Sequence, residues 1–220
     1  ALFSYRKTVD YGAWCLNGEI YLNNGQETIF ICREDELGII GPHNTMNALA
    51  ALTLAYFSDV QLDVIVEVLR TFKGVEHRLE KVRTIHDVTY YNDSKGTNPD
   101  AAIQAIKAMP GPTLLIAGGY DKHIPYEPLG PVINDKVKLL ILLGDTAPKI
   151  EKAVKEASNY DADEIEIVNV TNMEEAVAVA RERSTKGDIV SLSPASASFG
   201  LYKNFEERGN HFKSIVNALK

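Results

Sequence analysis

Over the first forty positions short apolar runs alternate with turn residues. Leu2-Phe3-Ser4-Tyr5, Gly12-Ala13-Trp14-Cys15-Leu16, Glu19-Ile20-Tyr21-Leu22 and Thr28-Ile29-Phe30-Ile31-Cys32 read as short strands. Asn17-Gly18 and Asn24-Gly25 suit tight hairpins between them. These strands show little partner core, so the chain reads as starting inside a larger domain. The period then turns helical. His43-Asn44 opens a helix over 43–57, and Asp59–Phe72 carries Val60, Leu62, Ile65, Val66 and Leu69 at helical spacing. Gly74 closes this stretch, and Val75-Glu76-His77-Arg78-Leu79-Glu80 reads as a linker.

From position 81 strand and helix patterns alternate. Strands are predicted at Val82–Ile85, Val88–Tyr91, Thr113–Ala117, Val137–Leu143, Glu164–Val168 and Asp188–Leu192. Helices are predicted at Pro99–Ala108, Tyr126–Ile133, Ala147–Ala157, Met173–Arg183 and Phe205–Leu219. Runs such as Leu139-Leu140-Ile141-Leu142-Leu143 are apolar on both faces, the mark of a parallel sheet covered by helices on each side. The fold class is therefore α/β. A ligand on such a sheet sits beyond the carboxyl ends of the strands.

Four loops should meet on that edge. Asn92-Asp93-Ser94-Lys95-Gly96-Thr97-Asn98 offers an anion, a cation, a hydroxyl and an amide. Taken alone it is a polar turn in which Asn98 or Thr97 caps the next helix. Gly118-Gly119-Tyr120-Asp121-Lys122-His123 turns sharply and projects a lysine. Gly144-Asp145-Thr146 reads as structural. Ser193-Pro194-Ala195-Ser196-Ala197-Ser198-Phe199 is small, rich in hydroxyls and leads into a helix. That suits a carboxylate or phosphate, or else an N-cap with spare serines. Two lysines, Thr97 and Ser198 on one rim would hold a small dianion.

The chain has 220 residues, 45% of them apolar and 24% charged, the balance of a globular protein of one large or two modest domains. The net charge of −7 argues against a general nucleic-acid surface but leaves room for a local anion pocket. No apolar run approaches the ~20 residues of a membrane span. No basic-then-apolar leader opens the chain, which points to the cytoplasm. Cys15 and Cys32 lack metal-type spacing and read as reduced thiols in strands. Neither a GxGxxG fingerprint nor a Walker A motif is present.

Several of these motifs, in this order, resemble the Mur ligase family, in particular its D-glutamate-adding branch. They are Gly41-Pro42-His43-Asn44-Thr45-Met46-Asn47, His77-Arg78-Leu79-Glu80, Asn92–Asp100, Ile116–Lys122, Leu192–Phe199 and Tyr202–Gly209. The resemblance implies a partial α/β central ATPase domain over 1–75 and a Rossmann-like C-terminal domain, mainly parallel sheet flanked by helices, over 76–220. It implies an ADP-forming amide-bond ligase of peptidoglycan synthesis. ATP activates the carboxylate of UDP-N-acetylmuramoyl-L-alanine as an acyl phosphate, which the amine of D-glutamate attacks.

Carried over by position, Asn44, Asn47, Arg78 and Asp93 would contact the nucleotide, the last at its ribose. Lys95 and His43 would serve the phosphate chemistry. Thr97, Lys122, Ser198 and the backbone N–H of Phe205 would hold D-glutamate, with the Phe205 ring packed in the core. The hinge for closure is expected near Lys73–Glu76. The family's phosphate loop, Mg²⁺ ligands and carbamylated lysine lie upstream of these positions. No metal ligand is therefore assigned here, and the chain alone is expected to be inactive. A different Mur ligase, a folylpolyglutamate synthetase relative, or a non-catalytic small-anion-binding domain are the competing readings.

Overall fold

The computed structural model describes residues 1–220. They form two compact units, Ala1–Gly74 and Val75–Lys220.

In the first unit β1 (Leu2–Tyr5) runs parallel to β2 (Gly12–Leu16), and β3 (Glu19–Asn23) and β4 (Thr28–Arg33) continue the sheet antiparallel. Asn17-Gly18 is the two-residue turn expected, with both residues at positive φ and Leu16 opposite Glu19. Asn24-Gly25 instead opens a four-residue loop. The Asn24 carboxamide oxygen accepts from the Gln26 and Glu27 amides at 2.9 and 3.0 Å.

Helix α1 spans Pro42–Tyr56 and α2 spans Leu62–Thr71. The second helix starts later than its apolar spacing suggests. Asp59, at φ 63°, belongs to the turn that ends α1. The strands do have a partner core: Ala13, Cys15, Ile20, Leu22, Ile31 and Cys32 pack against Leu49, Leu52 and Ile65 of the helices. Both thiols are free and buried there, and burial pushes Cys15 up to about 11, so it is unreactive near neutral pH.

The second unit contains β5 (Glu80–Ile85), β6 (Val88–Asn92), α3 (Pro99–Ala108), β7 (Thr113–Ala117), α4 (Leu129–Lys136) and β8 (Val137–Leu142). It continues with α5 (Ala147–Lys155), β9 (Glu166–Asn169), α6 (Met173–Arg183), β10 (Ile189–Leu192) and α7 (Phe205–Ala218). The sheet order is β5-β6-β10-β7-β8-β9. Every pairing is parallel except β5 with β6. That hairpin turns through His86-Asp87, both at positive φ, a type I′ geometry without the usual glycine.

Alternate residues of each strand feed two cores. Leu115, Leu140 and Leu142 meet Ile106 of α3, Ile133 of α4 and Ile150 of α5. Leu114, Ile116 and Ile141 meet Val177 of α6 and Phe212 of α7 on the other face. This two-sided burial is why the strands read as unbroken apolar runs. Helix α4 begins three residues later than expected because Pro128 occupies its N-cap. No helix is long and apolar enough to cross a membrane.

Asn98 caps α3: its side-chain oxygen accepts from the Ala101 amide at 2.9 Å, with Pro99 at the first helical position. Replacing Asn98 with Ala should cost about 1 kcal/mol, read as a lower urea midpoint, and Asn98→Asp should retain most of the stability.

Candidate functional site

The loops after β6, β10, β7 and β8 leave adjacent parallel strands and interlock. Asp93 begins the first. Its amide donates to the Leu192 carbonyl at 2.8 Å, and its carboxylate accepts from the Leu79 amide at 3.2 Å and the Ser193 hydroxyl at 2.7 Å. Burial pushes this carboxyl up to about 6, against the pull of those hydrogen bonds and the charges of Arg78 and Arg208. Lys95 and Arg78 are exposed, and Thr97 is half-buried. The Lys95 ammonium lies 5.6 Å from the centre of the Phe205 ring.

The second loop is tied to the fourth. Gly118 N–H donates to Pro194 O at 2.8 Å and Tyr120 N–H to Ala197 O at 2.9 Å. Asp121 accepts from the His123 amide and pairs with Lys149 at 2.5 Å, which holds its carboxyl low. The bent turn leaves Lys122 exposed. The third loop is a brace: the Thr146 hydroxyl lies 2.8 Å from that of Ser196, which also meets the Tyr126 hydroxyl at 2.9 Å.

The serine run does not cap a helix. Helix α7 starts at Phe205, where Asn204 accepts from the Glu207 amide at 2.8 Å. Ser193 and Ser196 are committed to the loop framework, and Ser198 is buried beside it. The Phe205 N–H stands among the first-turn donors that have no intrahelical acceptor. Its ring is not core. It is half-exposed and meets the His77 ring edge-on at 6.0 Å.

The stretch expected as a linker is built into the second unit. His77 and Leu79 are buried, and β5 begins at Glu80. Asn92 Nδ2 lies 2.9 Å from His77 Nδ1 and 3.0 Å from Glu80 Oε2. Glu76, His77 and Glu80 stand close enough to share a cation, but the Lys213 ammonium already sits 2.7 and 2.6 Å from the two carboxylates. The group therefore does not fit a magnesium ion.

In the first unit Gly41 is the N-cap of α1, so the helix opens at Pro42, one residue before His43. His43 is half-buried, Asn44 is buried with its amide donating to Ile40 O at 2.9 Å, and exposed Asn47 donates to Asn44 Oδ1 at 3.4 Å. The two asparagines thus form one patch of paired amide donors and acceptors. Asp93, Lys95, Thr97, Ser198 and Phe205 all belong to the second unit, and the Lys122 loop is bonded to the Ser198 loop.

Sequence reasoning gave no role to Arg208, which ties these loops together. Its signal was available: on α7, Arg208, Gly209, Phe212 and Val216 share the inward stripe, and a charge there is a buried charge.

Residues 77–196 match the family model described as Mur ligase, glutamate ligase domain. The chain is 47% identical over 218 residues to the UDP-N-acetylmuramoylalanine--D-glutamate ligase of Caldanaerobacter subterraneus, covering 99% of this chain and 47% of that protein. The ligase of the same name from Acetivibrio thermocellus is 46% identical, at 99% and 47% coverage. The chain spans about half the length of these relatives, matching their C-terminal portion. Among solved structures, a pseudomurein peptide ligase type C from Methanothermus fervidus superposes with a TM-score of 0.65 at 19% identity, covering 98% of this chain and 43% of that one. That likeness carries the fold.

Proposed function

The chain belongs to the Mur ligase family, and from that premise we propose that it is the amino-acid-receiving portion of an ATP-dependent D-glutamate ligase. The observation that supports this reading is that the loops carrying Lys95 and Thr97, Lys122, and Ser198 are hydrogen-bonded to one another and to the first turn of α7, where Phe205 stands, in a chain close in sequence to D-glutamate ligases. D-Glutamate carries two carboxylates. Hydroxyl, ammonium and backbone donors fixed on one rigid edge are the groups that bind them.

In this reading ATP and UDP-N-acetylmuramoyl-L-alanine supply an acyl phosphate. The role of this chain is to bring the D-glutamate amine, deprotonated, to its carbonyl carbon. The amide forms and phosphate leaves, with Lys95 placed to offset charge on the departing group. Asn44 and Asn47 are assigned to the adenine nucleotide. Arg78 is a flexible exposed cation suited to a phosphate, and Asp93 is assigned to the ribose. Residues 1–75 are assigned to the central, nucleotide-binding domain and 76–220 to the C-terminal domain. The 220 residues alone are expected to be inactive.

The test is a chimera in which this chain replaces the matching C-terminal portion of the Caldanaerobacter ligase. Phosphate release that depends on UDP-N-acetylmuramoyl-L-alanine and D-glutamate, at least tenfold above the rate with L-glutamate, is the expected result. A folded chimera that uses a different amino acid would assign a sister ligase. A folded chimera silent with every amino acid would leave a small-anion-binding domain and sink the ligase reading.

A further inference from the structure

Arg208 is 2% exposed, yet it faces no carboxylate within salt-bridge distance. Its guanidinium is spent on neutral acceptors. Nε donates to Ser94 Oγ at 3.0 Å, one terminal nitrogen to Ser94 O at 2.9 Å, and the other to Ser196 O at 3.1 Å. Ser94 Oγ passes the connection on, donating to the Phe205 carbonyl at 2.7 Å. One planar fork therefore fixes the loop after β6, the loop after β10 and the first turn of α7. The second loop is packed against the same group: a Cβ on Gly119 would stand 3.2 Å from the Arg208 terminal nitrogen.

Three residues of the proposed site lie near these joints in the chain. Lys95 follows Ser94, Ser198 lies two residues beyond Ser196, and Phe205 is the residue whose carbonyl Ser94 engages. A buried guanidinium carries a large desolvation cost unless its charge is answered. Burial lowers its pKa to about 10, which still leaves it charged at neutral pH. Its charge is answered only at longer range, by Asp93.

We propose that Arg208, through Ser94, is the positioning residue of the D-glutamate site, setting the Lys95–Thr97 loop, the Ser198 loop and the Phe205 amide in one geometry. The proposal rests on the amino-acid site proposed above.

The test is a double-mutant cycle of Ser94→Ala and Arg208→Lys in the 220-residue chain, followed by amide NMR without ligand and then with D-glutamate. Ser94→Ala removes one oxygen and keeps the fork. Arg208→Lys keeps the charge and loses the fork. Without ligand, both should shift the same amides of Lys95–Asn98 and Phe205. With ligand, each should weaken D-glutamate binding about tenfold, and the double variant should bind no more weakly than Arg208→Lys alone, since both break one connection. A merely structural role would lower the melting temperature and leave the affinity of the folded protein within twofold of the parent. That result, or additive losses, would overturn the proposal. If the unmutated chain ignores D-glutamate, the amino-acid reading is what fails. The ligand-free shifts then decide alone whether Arg208 couples the loops, and their absence overturns the coupling.

Discussion

Gly118→Ala should unfold the second unit at denaturant concentrations the parent chain tolerates easily. The methyl group would lie 2.0 Å from the Leu143 carbonyl oxygen and 3.2 Å from the Leu143 amide, both backbone atoms of the adjacent strand end. Neither can move without breaking the β7–β8 ladder. Gly118 also sits at φ 111°, where a side chain is strained whatever the space. Its amide is held by Pro194 O, so the residue cannot turn away without surrendering the tie between the second and fourth loops. Backbone strain and overlap together should cost more than about 3 kcal/mol. Urea unfolding followed by tyrosine fluorescence and circular dichroism measures it. A midpoint within about 0.5 kcal/mol of the parent would mean that the loop relaxes freely and does not hold Lys122 in place.

Asp93→Asn should stabilise the chain above pH 6 and do little below pH 4. A carboxylate in the unfolded chain titrates near 3.9, whereas burial holds the folded one at about 6. Between those values the folded state binds the extra proton, so the contribution of Asp93 to stability falls as pH rises through the window. The loss amounts to about 2–3 kcal/mol once both states are ionised. Asparagine can accept from the Leu79 amide and donate to the Ser193 hydroxyl, which only has to rotate. The gap between variant and parent, read from urea midpoints at pH 4 and pH 7.5, should therefore widen with pH. An unchanged gap would show that the Asp93 carboxyl titrates alike in the folded and unfolded states. A carboxylate retained at such a cost fits the ribose role proposed for it, because groups that serve a ligand are often held at the expense of stability.

The sequence made the elements of the second unit legible because its strands are buried on both faces and its helices carry clear stripes. Pro99–Ala108 and Met173–Arg183 emerge with the bounds their patterns predict. What stayed hidden was of another kind. The Asp93–Ser193 and Ser94–Arg208 bonds join residues 100 and 114 positions apart, and no local period records them. The serine run advertised a helix start because hydroxyls and a helix stood in order. The polar atoms of Ser193 and Ser196 were instead needed to satisfy buried neighbours across the sheet edge. Phe205 read as core by its type, but it stands at the first turn of α7, where its ring meets His77 and Lys95. The antiparallel β5 was masked because apolar patterning gives a strand's face and not its direction.

The place of β10 has a consequence for how the second unit comes into being. Its residues, 189–192, are among the last the ribosome releases from this stretch, yet they form the joint between β6 and β7. Until they emerge the chain holds a β5–β6 hairpin and a separate β7-β8-β9 group, each ending in an unpaired edge. The sheet therefore closes by insertion of a late strand into a waiting slot, not by growth from one end. A nascent or clipped chain that stops before Ile189 presents two sticky edges at once, which makes it a target for chaperones and a seed for aggregation.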